Sequence, residues 1–297
     1  MTEKMGIELS VSGRQRLNVN RIIQGDCLSV LKGFPDGCVQ CCVTSPPYYG
    51  LRDYGVDGQI GREPTPGEYI AHLTEIFREV RRVLVSDGVC WLNISDSYCG
   101  TGSKGRHADP KNPNGRSGQK QSLTMRVAGC KPKDMIGIPW MLAFALRADG
   151  WYLRSDVIWV KGNAMPETVQ DRPVHCYEHI FLLTKSRRYY YDAQSVMEPA
   201  VSVRGVRSRR DVWQINTVPY KGGHYAAFPP KLAETCILAG CPESGLVLDP
   251  FFGTGTTGSA ALRLNRAYIG IELNGDYCQL AQARICLLYT SPSPRDA

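Results

Sequence analysis

A short apolar run ending in two prolines constrains this chain more than any other feature. Cys38-Val39-Gln40-Cys41-Cys42-Val43 reads as a buried strand, and Thr44-Ser45-Pro46-Pro47-Tyr48 follows it at once. Each proline fixes φ, lacks an N–H and pushes the residue before it out of the helical region, so the turn is stiff. A buried strand with such a turn at its carboxyl end belongs in an open α/β sheet, where ligands bind beyond the strand ends. The turn frees the Pro46 carbonyl to accept a hydrogen bond. It adds the Ser45 hydroxyl as a second acceptor and presents the flat ring of Tyr48. Two acceptors beside a stacking ring suit the exocyclic amino group of a flipped nucleobase. Taken alone, the same residues also describe an ordinary proline turn.

A second motif lies about two hundred residues on. Leu246-Val247-Leu248-Asp249-Pro250-Phe251-Phe252-Gly253-Thr254-Gly255-Thr256-Thr257-Gly258 reads as strand, glycine-rich loop and helix start. Its glycines let a ligand approach the backbone, and the helix N-terminus offers unpaired N–H groups. A further strand, Ala267–Ile271, ends at Glu272, whose carboxylate can accept both hydroxyls of a ribose. Gly253-x-Gly255-x-x-Gly258 with an acid 19 residues beyond Gly253 also fits a dinucleotide fingerprint, which makes a NAD-dependent oxidoreductase a rival reading. Against it, Asp249-Pro250-Phe251-Phe252 separates the strand from the first glycine, and only 25 residues follow Glu272.

The chain of 297 residues is long enough for one large α/β domain, with ordinary hydrophobic (43%) and charged (21%) content. Its longest apolar stretch near a helix, Met141–Leu146, is too short to span a bilayer, and the N-terminus lacks a signal peptide's apolar core. A soluble intracellular protein is expected. The twelve cysteines then read as small buried hydrophobes rather than disulfides. Cys38-x-x-Cys41 lacks the second close pair a metal site needs, so no metal is expected. The net charge of +7 is unevenly placed: Gly100–Lys133 carries eight Lys/Arg against one acid, and Lys185–Trp213 carries seven against three. The rest of the chain is net negative, a distribution that fits a polyanionic partner.

Along the chain, residues 1–20 read as a patternless lead-in. Arg21–Gln24 reads as a strand, with Asp26 placed to cap a helix over Cys27–Lys32. Apolar residues at Tyr69, Ile70, Leu73, Ile76, Phe77, Val80, Val83 and Leu84 define one face of a long helix starting at Pro66 and stopped by Ser86-Asp87-Gly88. Strands are expected at Val89–Ile94, Trp151–Lys161 and His179–Leu183, and helices at Pro139–Ala148 and Pro230–Leu238. Tyr189-Tyr190-Tyr191 through Arg204–Arg210 to Trp213 mixes aromatics and arginines, as nucleic-acid surfaces do. The final residues, from Ser291, have no packing pattern and read as a disordered or foreign tail.

Together, Thr44-Ser45-Pro46-Pro47-Tyr48 and Asp249-Pro250-Phe251-Phe252-Gly253-Thr254-Gly255 closely resemble the amino-methylating DNA methyltransferases that use S-adenosyl-L-methionine. The catalytic motif precedes the cofactor motif, as in that family's β group. The resemblance runs from about Arg21 to Arg284. It implies a seven-stranded, mostly parallel Rossmann-like sheet in circularly permuted order, with one antiparallel strand and a small DNA-recognition insertion. On that plan, residues 21–160 form the catalytic half, 161–220 the target-recognition region, 221–286 the cofactor half and 287–297 the tail. By resemblance Ser45, Pro46, Pro47 and Tyr48 are catalytic. Asp26, Phe228, Pro229, Asp249, Pro250, Phe251, Gly253, Gly255, Thr256 and Glu272 line the cofactor. Lys104, Arg106, Lys111 and Arg116 are candidates for phosphate contacts, and Arg204, Arg207, Arg209 and Arg210 for target recognition.

The activity so implied is methylation of cytosine N4 in duplex DNA, with adenine N6 as the alternative. The partners implied are duplex DNA and a cognate restriction endonuclease. A catalytically dead DNA-binding module is a further alternative. A cytosine-C5 enzyme is excluded, because its thiolate nucleophile follows a proline and no Pro-Cys dipeptide occurs here.

Overall fold

The computed structural model describes residues 8–11, 15–100, 127–164, 166–167, 169–200, 205–218 and 228–290. In chain order the elements begin with β1 (Glu8–Val11), β2 (Gln15–Asn18), β3 (Arg21–Gln24), α1 (Cys27–Lys32) and β4 (Val39–Thr44). There follow α2 (Pro66–Val83), β5 (Leu84–Ile94), α3 (Ile138–Ala148), β6 (Tyr152–Val160) and β7 (Tyr177–Thr184). The short strands β8 (Glu198–Pro199), β9 (Val206–Arg207) and β10 (Val212–Gln214) come next. The chain continues through α4 (Pro230–Gly240), β11 (Leu246–Asp249), α5 (Thr256–Arg263), β12 (Ala267–Glu272) and α6 (Gly275–Thr290).

The main sheet runs β10-β6-β7-β5-β4-β11-β12-β3. Strand β7 is antiparallel to both its neighbours, and every other pairing is parallel. The expected seven strands are thus present, with the antiparallel one among them. An eighth is added where β10 pairs with the last three residues of β6. Its residues alternate, with Trp213 buried between exposed Val212 and Gln214, the pattern of an edge strand closing a core. The stretch 161–220 therefore supplies two strands of the sheet as well as the segments between them. The lead-in differs from expectation: β1 and β2 form an antiparallel hairpin.

Two apolar layers sandwich the sheet. Val39 and Cys42 pack on one side with α2 and α3, and Cys41 and Val43 on the other with α4 and α5. The cysteines of β4 are thereby divided between the layers, and burial pushes the Cys41 and Cys42 thiols well up. Helix α2 forms because Thr65 caps it, accepting from the Glu68 N–H at 3.2 Å, and Pro66 opens it. Its buried face carries all seven expected residues through Val83, each worth about 1.5–3 kcal/mol when fully withdrawn from water. The helix ends at Val83 and passes straight into β5, so Ser86-Asp87-Gly88 is no stop signal. These residues sit in an irregularity of β5, where the partners of Val39 and Cys41 jump from Leu84 to Val89. A strand neighbour at Leu84 outcompeted the local turn propensity.

The basic stretch is closed at its base. Cys99 N–H donates to Asp134 O at 2.8 Å and Lys133 N–H to Cys99 O at 2.9 Å. The Asp96 carboxylate accepts from the Gly137 and Ile138 N–H groups at 3.0 Å and so fixes the start of α3 just beyond. The ends of that stretch emerge together from the carboxyl end of β5. No helix among the described residues is long and apolar enough to cross a membrane.

Candidate active site

The carboxyl ends of β4, β11, β12 and β3 lie side by side, and both motifs sit on them. Asp249, at the end of β11, joins the motifs. It is 1% exposed; Oδ1 accepts from Thr44 Oγ1 and Oδ2 from Thr257 Oγ1, each at 2.6 Å, and Phe251 N–H adds a bond at 3.1 Å. Burial raises this carboxyl to about 6 against the opposing pull of Thr257, Thr44 and Phe251 N–H. Asp249 is expected to line the cofactor; its carboxylate, bonded to Thr44, Thr257 and Phe251 N–H, also shapes the loop.

The glycine-rich loop is built by φ values of +52° at Gly253 and +78° at Gly255, the left-handed region. Pro250, Gly255 and Thr256 are buried and Phe251 half-buried. Phe252 turns into the core and stacks on Tyr268 at 5.6 Å. It lies so close over Gly270 that a Cβ there would come within 2.2 Å of its ring. Glu272 holds the loop from the next strand, Oε2 accepting from Gly253 N–H at 2.7 Å and Oε1 from Asn274 N–H at 2.8 Å. Its pKa is raised by burial, opposed by those backbone donors. On the third strand end, Gly25 N–H bonds the Glu272 carbonyl at 3.0 Å. Asp26 follows it, exposed, capping α1 through Ser29 N–H at 2.9 Å. Phe228 and Pro229 are buried at the start of α4. A bare loop, a carboxylate beside it and a second acid one strand further suit an extended, nucleoside-bearing cofactor.

The Ser45-Pro46-Pro47-Tyr48 turn is held from three sides. Tyr69 Oη donates to Pro47 O at 2.8 Å, Tyr49 is 1% exposed, and Gly61 presses against the Tyr48 carbonyl. Among the described residues no hydrogen bond reaches the Pro46 carbonyl. Ser45 Oγ donates to Tyr48 Oη at 3.2 Å. Tyr48 Oη donates in turn to Glu178 Oε2 at 2.5 Å and lies 3.2 Å from Asn93 Oδ1. Asn93 Nδ2 donates to Glu178 Oε2 at 2.9 Å, and Lys161 Nζ pairs with Oε1. Burial and then the charge of Glu178 hold the Tyr48 phenol well above its ordinary pKa.

The sequence reading missed Asn93, Lys161 and Glu178. Asn93 and Glu178 are buried polar residues in apolar strands, the one signal that marks them.

The arginine-rich part of the chain is only partly described. Lys104, Arg106, Lys111, Arg116 and Arg204 lie outside the described residues. Arg207 and Arg210 both pair with Glu198, at 2.9 and 3.2 Å, and Arg209 lies 4.9 Å over the Trp213 ring. They precede β10, four strands from β4 and so roughly 19 Å from the motif at about 4.8 Å per strand. That distance allows them to meet the flanks of a bound polymer and not the reacting group.

Strand-end acceptors beside a glycine-rich loop on a mostly parallel sheet mark the ligand-binding end of a Rossmann-like α/β fold. Comparison with known proteins gives the family. The family described as DNA methylase (N6_N4_Mtase) matches residues 39–283. The chain is 52% identical over 266 residues to the Type II methyltransferase M.SmaI of Serratia marcescens, covering 89% of this chain and 90% of that protein. It is 50% identical to M.Cfr9I of Citrobacter freundii, with 91% and 88% covered. Among solved structures, the PvuII DNA methyltransferase (cytosine-N4-specific) matches with a TM-score of 0.66 at 19% identity, covering 90% of each chain. A putative DNA modification methylase from Thermus thermophilus, complexed with S-adenosyl-L-methionine, matches with a TM-score of 0.62 at 24% identity, covering 93% and 96%. The chain belongs to the DNA methylase family of N4 and N6 amino-methyltransferases. That membership removes the dinucleotide reading of Gly253-x-Gly255-x-x-Gly258.

Proposed function

We propose that this protein moves the methyl group of S-adenosyl-L-methionine to the N4 amino group of a cytosine flipped out of a specific duplex DNA sequence. The observation that carries the reading is the state of Ser45. Its proton is spent on Tyr48, so Oγ is left as an acceptor beside the Pro46 carbonyl, which no hydrogen bond reaches among the described residues. Two acceptors can then take both amino protons of the target and turn the nitrogen lone pair toward the methyl carbon. Transfer is direct and in-line, promoted by positioning. Bound on the loop, the cofactor supplies an electrophilic methyl group.

On this reading Glu272 accepts the ribose hydroxyls, and Asp26 faces the adenine. Phe228 and Pro229 line the methionine end, and Pro250, Phe251, Gly253, Gly255 and Thr256 form the loop floor. The ring of Tyr48, fixed by its hydroxyl, stacks on the target base. Ser45 is shorter than an amide or carboxylate side chain, so the amino group approaches the backbone closely, which favours the smaller pyrimidine. Adenine N6 offers the same geometry and is the second reading. The likeness to Type II methyltransferases supports duplex DNA as substrate and a cognate restriction endonuclease as functional partner. The basic stretch rooted at Cys99 and Lys133 supports phosphate contacts from Lys104, Arg106, Lys111 and Arg116.

The test is transfer of a labelled methyl group to duplex DNA by the parent and by Ser45→Ala. The parent should label DNA, and the variant should be greatly slowed with its cofactor affinity retained. Cofactor and DNA binding by the parent without any transfer would leave only a DNA-binding module.

A further inference from the structure

The Ser45 hydroxyl opens a row of hydrogen bonds that leads away from the site into the protein. Every donor in it points the same way. Ser45 Oγ–H donates to Tyr48 Oη at 3.2 Å, and Tyr48 Oη–H to Glu178 Oε2 at 2.5 Å. The row ends on a carboxylate that is only 7% exposed. Asn93, 3% exposed, steadies it from Nδ2, which donates to Glu178 Oε2 at 2.9 Å and to the His179 carbonyl at 3.2 Å. Lys161 balances its charge on the other oxygen. A buried acid is costly, and the Lys161 ion pair offsets that cost only because a further hydrogen bond, from Asn93 Nδ2, fills a remaining lone pair. Fixing the Tyr48 ring would need only a neutral acceptor such as Asn93. A buried carboxylate at the end of a one-way donor row has the makings of a proton acceptor.

We propose that Ser45, Tyr48 and Glu178 form the exit path for the proton that the target amino group loses during methylation. The proposal rests on the reading of Ser45 as an acceptor of that amino group. The nitrogen bonds the methyl carbon as the sulfur–carbon bond breaks, the electron pair of that bond staying on sulfur. The nitrogen, now carrying three substituents besides its ring carbon, holds one proton too many. That proton passes to Ser45 Oγ, the Ser45 proton to Tyr48 Oη, and the Tyr48 proton to Glu178 Oε2. The carboxylate becomes a neutral acid, the amine becomes neutral, and Lys161 keeps its charge throughout. After product leaves, Glu178 returns the proton to water. The raised pKa of Tyr48 keeps its phenol protonated, so it passes one proton on as it takes another. Glu178 would thus be a positioning residue for Tyr48 and also the base that acts through it.

Single-turnover methylation by the parent, Tyr48→Phe and Glu178→Gln tests this, with product nucleosides identified in each reaction. Cofactor affinity by calorimetry and duplex affinity by anisotropy are measured alongside. Both variants should bind as the parent does yet transfer roughly 100-fold more slowly, the low end of what general acid–base catalysis contributes. The double variant should be no slower than either single one, because one path has been cut twice. The parent rate should fall in heavy water, and that sensitivity should shrink in both variants, a change that loss of ring positioning alone does not produce. If Glu178→Gln fails to fold, Tyr48→Phe, which deletes one hydroxyl, carries the test. Tyr48→Phe at the parent rate, or an equal solvent isotope effect in parent and variant, overturns the exit path. A parent that methylates no amino group overturns the proposed function instead.

Discussion

Asp249→Asn isolates the electrostatic cost of joining the two motifs. Asp249 is buried, and its carboxyl is raised from 3.8 to about 6, chiefly by that burial. A raised folded-state pKa means that its contribution to stability is fully present below pH 3.8 and is lost as pH rises through about 6. At 1.36 kcal/mol per unit the full loss is roughly 3 kcal/mol, of which about 2 kcal/mol falls between pH 4.5 and 7.5. Asparagine carries no charge at any of these pH values. One of Thr44 and Thr257 loses its acceptor, a pH-independent cost of about 1 kcal/mol. The stability of Asp249→Asn relative to the parent should therefore rise by about 2 kcal/mol from pH 4.5 to 7.5. Urea unfolding of both proteins across that range measures it. A difference that stays flat with pH would mean that the two threonines and Phe251 N–H fully compensate the charge, and the reasoning would fail.

Three further outcomes follow from the geometry. Glu272→Gln should weaken S-adenosyl-L-methionine binding by about 10- to 100-fold, the worth of a hydrogen bond to a charged acceptor; calorimetry showing unchanged affinity would displace Glu272 from the ribose. Gly61→Ala should slow transfer by roughly 10- to 100-fold with cofactor affinity intact. Gly61 sits at φ +94° and a Cβ there comes within 2.9 Å of the Tyr48 carbonyl oxygen, so a parent-like single-turnover rate would show that the Tyr48 backbone can shift harmlessly. Glu198→Gln should release Arg207 and Arg210 and so tighten duplex binding and steepen its salt dependence; an unchanged slope would place that surface away from DNA.

Both motifs were legible in the sequence because each couples a buried strand to residues with few backbone options. Pro46-Pro47 forces the turn after β4, and Gly253 and Gly255 adopt the left-handed φ that glycine favours. Helix α2 was legible through its period and its Pro66 start, but its end was not. Leu84 pairs with Val39, a contact between elements that no local window contains. The Tyr48–Glu178 bond was hidden for the same reason, as it joins residues 130 apart in sequence. Asp249 was recognised as important, yet the inward direction of its carboxylate depends on Thr44, 205 residues earlier. The β1–β2 hairpin does carry an alternating pattern, in Glu8-Leu9-Ser10-Val11 and again from Arg16 to Asn20, which reading residues 1–20 as patternless passed over.

The central claim is the identity of the methylated atom. Duplex DNA treated with the purified protein and S-adenosyl-L-methionine is digested to nucleosides and separated by mass spectrometry. N4-methylcytosine is the predicted product. N6-methyladenine alone would contradict the choice of base while keeping the in-line transfer built on Ser45 and Pro46, and 5-methylcytosine would contradict the account as a whole.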